Sequence, residues 1–278
     1  MSYSLTDLTI VIRGAGEMAT GTAHRLHRAG FHRILMTEIS APLSVRRLVS
    51  FSEAVHDGSC IVEGSKAKLV TGIEEVEDLW SQGVIAVIVD PENKSRTKVR
   101  PDILVDTILA KKNLGTTIQD ATLVVALGPG FDAGRDAHCV VETNRGHNLG
   151  RLIFEGPAEP NTGIPGTIAG ETARRVLRAP VDGIFDSDSS IADMVETGMT
   201  VGYITGKPVK AGLSGVIRGL IRPNTYVNEG LKVGDIDPRG DTSYCCTISE
   251  KARAIGGAVL EAIMIRFSQT GRPGLRSK

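Results

Sequence analysis

With 278 residues, of which 41% are hydrophobic and 23% charged, the chain has the composition of an ordinary globular protein of about two domains. Its formal net charge is +0, from 32 basic and 32 acidic residues, which argues against a general nucleic-acid-binding or membrane-binding surface. No apolar run is long enough to span a bilayer, no signal peptide is visible and the cysteines form no disulfide framework, so we expect a cytoplasmic protein.

The hydrophobic pattern of the first 127 residues predicts strands that alternate with helices. Apolar runs predict strands at 8–12, 34–37, 84–89 and 122–127. Helical patterns lie between them, at 18–29, 42–54, 74–80 and 102–111. Buried strands alternating with helices are typical of a parallel, doubly wound sheet, so this region predicts a Rossmann-like nucleotide-binding domain.

A glycine-rich turn joins the first predicted strand to the first helix. Gly14, Gly16 and Ala19 form a G-x-G-x-x-A pattern, in which backbone N–H groups hold a pyrophosphate at a helix N-terminus. Glu38 ends the second strand and is predicted to bind a ribose hydroxyl. The predicted cofactor is therefore a dinucleotide such as NAD(P). The alternative is a turn whose glycines serve only chain packing.

A second glycine turn follows the strand at 122–127. Gly128 and Gly130 allow a close approach of the backbone to a ligand, and Arg135 suits a phosphate or a carboxylate. These three residues are predicted to bind the cofactor. The alternative is that Arg135 pairs with a neighbouring aspartate.

The run His138 to Thr143 is predicted to be a strand. Alternation places His138 and Glu142 on one face and Cys139 on the other, so Cys139 is predicted to be a core residue. His138 is the candidate general acid or base. No tight ligand spacing is present, and no metal site is predicted.

Residues 179–238 contain an internal repeat with an offset of 32 residues. Gly183, Gly198 and Gly202 recur as Gly215, Gly230 and Gly234. Two similar β halves are predicted, which pack into a small β-sandwich. The pattern resembles biotinyl/lipoyl-like hybrid domains, where the modified lysine lies at the hairpin between the halves. Lys207 lies there but lacks the sequence context, and we interpret it as a turn residue.

The predicted architecture is α/β in four regions. Residues 1–127 form the Rossmann-like domain, and 128–175 a glycine-rich site and connector region. Residues 176–240 form the duplicated hybrid-like domain. Residues 241–278 contain a helix from Ser249 to Phe267 that returns to the first domain, with Ser249 as its N-cap.

Four stretches resemble one family. They are IRGAGEMATGTAHRL, LGPGFDAGRDAHCVVETNRGHNLGR, PNTGIPGTI and the tail VGDIDPRGD with ISEKARAIGGAVLEAI. They are similar to the YqeB family of selenium-dependent molybdenum hydroxylase accessory proteins. The resemblance implies a cytosolic maturation factor for such a hydroxylase, and with it a molybdopterin-type nucleotide as an alternative ligand to NAD(P). The resemblance identifies no catalytic residue in this chain, so whether the chain is an enzyme stays open.

Two other functions remain as alternatives. One is an NAD(P)-dependent oxidoreductase, with Glu38 on the ribose and His138 as the acid or base. The other is a non-enzymatic scaffold or interaction protein, in which the β repeat docks a partner. The expected partners are a small-molecule or nucleotide ligand and a molybdenum hydroxylase, and a homo-oligomer is left open.

Overall fold

The computed structural model describes residues 4–163 and 166–268, and one large sheet organises the first half of the chain. Its nine strands and a separate two-stranded pair, β8 with β11, lie in the following order along the chain. They are β1 (Ile10–Arg13), β2 (Ile34–Glu38), β3 (Ser59–Val62), β4 (Ser65–Val70), β5 (Ile85–Val89), β6 (Ile103–Asp106), β7 (Leu123–Leu127), β8 (Asp132–Ala133), β9 (Cys139–Val141), β10 (Leu152–Ile153) and β11 (Gly156–Pro157).

The nine-stranded sheet has the order β10-β9-β7-β6-β1-β2-β5-β4-β3. The strands from β9 to β4 run parallel to one another, and the edge strands β10 and β3 are antiparallel to their neighbours. Every residue of β1, β6 and β7 is buried. Runs rich in Val, Ile and Leu favour such central positions because both faces of the strand are covered.

Helices are few, and two of them cover one face of this sheet. The helices are α1 (Glu17–Arg28), α2 (Ala54–Asp57), α3 (Val76–Ser81), α4 (Arg96–Val99) and α5 (Glu250–Phe267). Helix α5 packs on α1, and the two share a core with the buried side chains of β1, β7 and β9. Gly21 and Gly256 lie at their crossing, where a Cβ on Gly256 would stand 2.8 Å from the carbonyl oxygen of Gly21.

Two four-stranded antiparallel sheets form the second core. Their strands are β12 (Val176–Arg178), β13 (Gly183–Asp186), β14 (Met194–Val195), β15 (Thr200–Ile204), β16 (Lys207–Lys210), β17 (Gly215–Leu220), β18 (Thr225–Val227) and β19 (Lys232–Asp237). The sheet orders are β12-β19-β17-β14 and β16-β15-β13-β18. Strands that stand 32 residues apart in sequence, such as β13 and β17, therefore lie in different sheets.

The predicted fold class is wrong. The large sheet is mixed rather than wholly parallel, and two separate antiparallel sheets accompany it, so a Rossmann-like domain with a biotinyl/lipoyl-like hybrid does not describe the molecule. No helix separates β6, β7 and β9. The residues after β6 form a loop instead, in which the Asn113 side chain bonds the backbone of Gly115 and Thr116. The predicted domain boundaries stay a prediction.

Two predicted helices are also wrong. The segment predicted as a helix at 102–111 contains strand β6, because Ile103 to Asp106 pair with β1 on one side and β7 on the other. The segment 42–54 forms two short 3-10 turns, Arg47–Val49 and Phe51–Glu53. Its backbone bonds the first glycine turn, since the Ser52 N–H donates to the Ala15 carbonyl at 2.8 Å.

The strongest local patterns are confirmed. Helices α1 and α5 and strands β1, β2, β5 and β7 lie where they are predicted, within two residues. The Ser249 side chain caps α5 by accepting from the Ala252 N–H at 3.3 Å. In the part of the chain that the structure describes, no helix is both long and apolar enough to cross a bilayer.

Candidate functional site

The carboxyl ends of the parallel strands meet at one edge of the large sheet, which is where open α/β sheets bind ligands. This edge carries the glycine turn after β1, the end of β2 and the loops after β6 and β7. Two adjoining cavities open beside these segments. We name them the cationic cavity and the glycine-loop cavity after the residues that line them.

The cationic cavity, of about 260 Å³, is walled by charged side chains. It lies between the loops of the large sheet on one side and the smaller sheets and the start of α5 on the other. Six cationic groups and three carboxylates line it: Arg46, Arg145, Arg175, Arg218, Lys232 and Lys251, with Glu17, Glu159 and Asp235. The formal excess is three positive charges, although the charges of the whole chain cancel.

A buried carboxylate organises one wall of this cavity. Asp235 is fully buried on β19 and bonds the guanidinium groups of Arg175 and Arg218. Burial alone would raise the pKa of Asp235, but Lys232 and these two arginines hold it below its usual range. The network therefore stays ionised, and it fixes two cations at the cavity wall.

Arg46 connects the cavity to the segment that precedes α5. One of its terminal nitrogens donates to the carbonyl oxygens of Tyr244 and Thr247, at 2.8 and 3.1 Å, and the other stands 3.4 Å from the Glu17 carboxylate. Burial lowers the pKa of Arg46 from its usual value. Its Nε is buried and has no hydrogen-bond partner among the described residues. Arg46 thus carries unused donor capacity between the two cavities.

Glu142 shapes the loops on the opposite wall. Its carboxylate accepts from the backbone N–H groups of Asn144, at 2.6 Å, and Glu159, at 2.7 Å. Because Glu142 is buried at the end of β9, it ties both loops to the large sheet. Asn144, Arg145 and the residues after Glu159 reach the cavity as a result.

The glycine-loop cavity is larger, at about 460 Å³, and more apolar. Gly14, Gly16 and Glu38 lie in its wall. Its apolar lining includes Ile39, Leu43, Val45, Ile108, Leu109 and Leu114. The two cavities share Glu17, Met18, Arg46 and Lys232, so together they form one elongated groove with a cationic end and an apolar end.

Glu38 is held against the glycine turn. Its two carboxylate oxygens accept from the backbone N–H groups of Ala15, at 2.9 Å, and Ile39, at 2.8 Å. Burial raises the pKa of Glu38, although these two hydrogen bonds act in the opposite direction. The structure therefore brings Gly14, Gly16 and Glu38 together, with Glu38 bonded to the turn itself.

The second glycine turn serves packing. A Cβ on Gly128 would collide with the Thr143 side chain, and one on Gly130 would stand 2.5 Å from the backbone nitrogen of Lys112. Neither glycine lines either cavity, although Pro129 between them lines the cationic cavity.

Arg135 and His138 lie outside the groove. The exposed Arg135 guanidinium pairs with Asp132 and Asp136, each at 3.1 Å, which is the alternative interpretation of the sequence. His138 Nδ1 accepts from the Val124 backbone N–H at 3.0 Å, and burial lowers the pKa of the imidazole. His138 and Glu38 therefore do not share a cavity. Cys139 is buried, as predicted, and burial raises its pKa to about 12.

Most of the cationic residues that line the cavity were not predicted from the sequence. Arg46, Arg175, Lys232 and Lys251 come from separate elements and follow no local spacing. Arg145 lies in the stretch LGPGFDAGRDAHCVVETNRGHNLGR, at 127–151. The stretch PNTGIPGTI contributes Asn161, Thr162 and Gly166 to the cavity, while 164–165 lie outside the described residues.

The described residues contain no group of three or more His, Cys, Asp or Glu side chains placed to hold a metal ion. The four cysteines are all free thiols.

The comparison with known proteins finds one strong relative. The chain is 48% identical over 260 residues to the uncharacterised protein YqeB of Escherichia coli. The match covers 94% of this chain and 48% of the relative, so the chain spans about half the length of that protein. No protein-family profile matches the chain.

Solved structures show only weak likeness. An aspartoacylase family protein from Mesorhizobium loti is 15% identical, with coverage of 83% of this chain and 84% of that one, at a TM-score of 0.24. A succinylglutamate desuccinylase/aspartoacylase from Rhodobacter sphaeroides is 23% identical over 31% of this chain and 30% of its own, at a TM-score of 0.22. TM-scores this low carry no conclusion about the fold or the function of the chain.

Proposed function

We infer that this chain is a YqeB-family member, because it is 48% identical to about half of the Escherichia coli protein. From that premise we propose that it is an accessory factor in the maturation of a selenium-dependent molybdenum hydroxylase. In this role it binds a nucleotide or a molybdenum-cofactor-type ligand. We place this activity in the cytoplasm, where its four free thiols stay reduced.

The groove is the observation that carries the proposal. Its cationic end offers guanidinium and ammonium groups, which are the usual partners of phosphate oxygens. Its apolar end offers Leu43, Ile108 and Leu114 to a flat ring. A nucleotide or a pterin nucleotide has this same division, with a heterocycle at one end and phosphates at the other.

The shared wall explains how one ligand would contact both ends. Arg46 and Lys232 line both cavities, so a ligand whose phosphate contacts them in the cationic cavity can extend into the glycine-loop cavity. Met18, from the first turn of α1, forms part of the same junction. The combined volume of about 260 and 460 Å³ lies in the usual range for a cofactor site.

Mass spectrometry of the purified chain tests the ligand. We expect a phosphate-bearing heterocycle to co-purify with the chain and to be lost in the double variant Arg46→Met, Lys232→Met. An exposed control, Lys66→Met, retains the ligand. A chain that carries no small molecule but captures a molybdenum hydroxylase contradicts the ligand proposal and favours the interaction-protein alternative.

A genetic experiment tests the maturation role. A host that makes a selenium-dependent molybdenum hydroxylase, once it lacks this protein, is expected to produce the hydroxylase polypeptide without activity. The wild-type gene restores activity and the double groove variant does not. Full hydroxylase activity in the deletion strain contradicts the proposal.

A further inference from the structure

Each of the four arginines in the cationic cavity is ion-paired with a protein carboxylate. Arg175 and Arg218 share Asp235, Arg46 faces Glu17, and Arg145 pairs with Glu250 on the first turn of α5. The guanidinium groups are therefore held in place by the fold. They form a rigid, positively charged wall.

The two lysines differ from these arginines. Among the described residues the Lys251 ammonium has no hydrogen bond and no ion pair. Lys232 is ion-paired with Asp235 at 3.4 Å, but that carboxylate already bonds two guanidinium groups. Besides the unpartnered Nε of Arg46, these two amines are the cationic groups of the cavity with bonding capacity to offer.

The position of Lys251 is electrostatically unfavourable in the protein alone. It lies in the first turn of the 18-residue helix α5, where the exposed N–H groups and the helix dipole favour a negative charge. Burial lowers the pKa of Lys251 and of Lys232; Arg145 adds to the effect at Lys251, whereas Asp235 opposes it at Lys232. An anion between these amines would offset the cost of burying both charges.

We propose that Lys232 and Lys251 bind the phosphate of the ligand directly, and that the N-terminal turn of α5 faces the same phosphate. This assignment rests on the proposed function and adds which class of chemical group the cationic end takes. A dianionic phosphate or a diphosphate fits better than a monoanionic carboxylate, because the formal excess in the cavity wall is three charges. The cavity walls exclude part of the solvent, which strengthens each contact.

Calorimetric titration of the chain with inorganic pyrophosphate tests the assignment. We expect saturable binding that weakens with added salt, and a loss of affinity of about tenfold or more in each of Lys251→Met and Lys232→Met. The exposed Lys66→Met is the matched control and binds as wild type does. Unchanged affinity in both cavity variants, or no saturable binding by the wild type, overturns the assignment.

Thermal unfolding shows whether a variant has lost affinity only because it no longer folds. Without pyrophosphate, Lys251→Met is expected to melt at a higher temperature than the wild type, because it removes an unpaired cation from a helix N-terminus. Pyrophosphate raises the melting temperature of the wild type and of Lys66→Met, but not that of Lys251→Met. If pyrophosphate raises the melting temperature of Lys251→Met as much as that of the wild type, the assignment is overturned.

The two proposals fail in different experiments. If the chain restores hydroxylase activity in the deletion strain yet binds no pyrophosphate, the phosphate assignment falls and the maturation role stands. If pyrophosphate binds through the two lysines but the deletion strain keeps full hydroxylase activity, the phosphate site stands and the maturation role falls.

Discussion

The Glu38 carboxylate accepts a hydrogen bond from the Ala15 backbone N–H at 2.9 Å, which ties the end of β2 to the glycine turn after β1. In a nucleotide-binding turn the loop N–H groups face a phosphate. Here one of them is satisfied by the protein's own carboxylate. The phosphate end of the groove is therefore better sought at the cationic cavity than at this turn.

Replacing Glu38 tests its structural role. Glu38→Ala leaves the N–H groups of Ala15 and Ile39 without their acceptor, and we expect a loss of about 1–3 kcal/mol in the free energy of unfolding. Urea denaturation measures the loss. The exposed helical control Glu261→Ala is expected to change stability by less than about 0.5 kcal/mol. An unchanged unfolding midpoint in Glu38→Ala would show that the turn does not depend on this side chain.

The Asp235 network is expected to be essential for folding. Asp235→Asn leaves two buried guanidinium groups without a full counter-charge, which costs about 3–5 kcal/mol. Because its folded pKa lies below the usual 3.8, the wild-type contribution is present above pH 3.8 and is lost as the pH falls through the folded pKa. Urea unfolding measures both effects. Asp78→Asn, at an exposed position, is the control, and equal stability of the two variants would contradict this account.

Two adjacent glycines in α5 are expected to respond in opposite directions. A Cβ on Gly256 would stand 2.8 Å from the Gly21 carbonyl oxygen, whereas a Cβ on Gly257 meets nothing within 4 Å. Gly256→Ala should therefore destabilise the chain by about 1–3 kcal/mol by forcing α1 and α5 apart. Gly257→Ala should stabilise it by about 0.5–1 kcal/mol through its helix propensity. Thermal unfolding of both variants decides this, and stabilisation by Gly256→Ala would show that the helices separate freely.

His24 is expected to make stability depend on pH near neutrality. It lies between Ser65, at 3.0 Å, and Glu63, at 3.7 Å, and burial lowers its pKa below the usual 6.5 despite the nearby Glu63. The unfolded chain then binds a proton more readily than the folded one. Stability is therefore complete above pH 6.5 and falls as the pH drops from 6.5 towards the folded pKa.

Unfolding free energies measured on both sides of pH 6.5 check this prediction. His24→Gln should reduce the loss on the acid side, whereas the exposed His147→Gln should not. An identical pH profile for wild type and His24→Gln would rule out this histidine as a contributor.

Local patterns predicted the elements whose residues carry their own signal. Helix α5 has a capping serine and a regular apolar spacing, and strand β7 is an unbroken apolar run. Strand β6 looked helical because its identity depends on pairing with β1 and β7, which lie far away in sequence. Tertiary pairing outweighed local propensity there.

The candidate groove lies at the edge of the sheet that the sequence indicated, and only some of its lining residues were predicted from sequence. Gly14, Gly16 and Glu38 follow strand ends, and their spacing is visible in the sequence. Arg46, Lys232 and Lys251 approach one another only because three distant segments fold together, so no window of sequence shows them as a group. Arg135 shows the opposite case: it was singled out in the sequence, but it lies outside the groove and pairs with Asp132 and Asp136.

The exchange of strands between the smaller sheets has a consequence for how this part of the chain folds. Each sheet takes two of the strands β12 to β15 and two of the strands β16 to β19, so neither set contains a complete sheet of its own. Neither set could bury its apolar side chains without the other. The two sets are therefore expected to fold and unfold together as one cooperative unit.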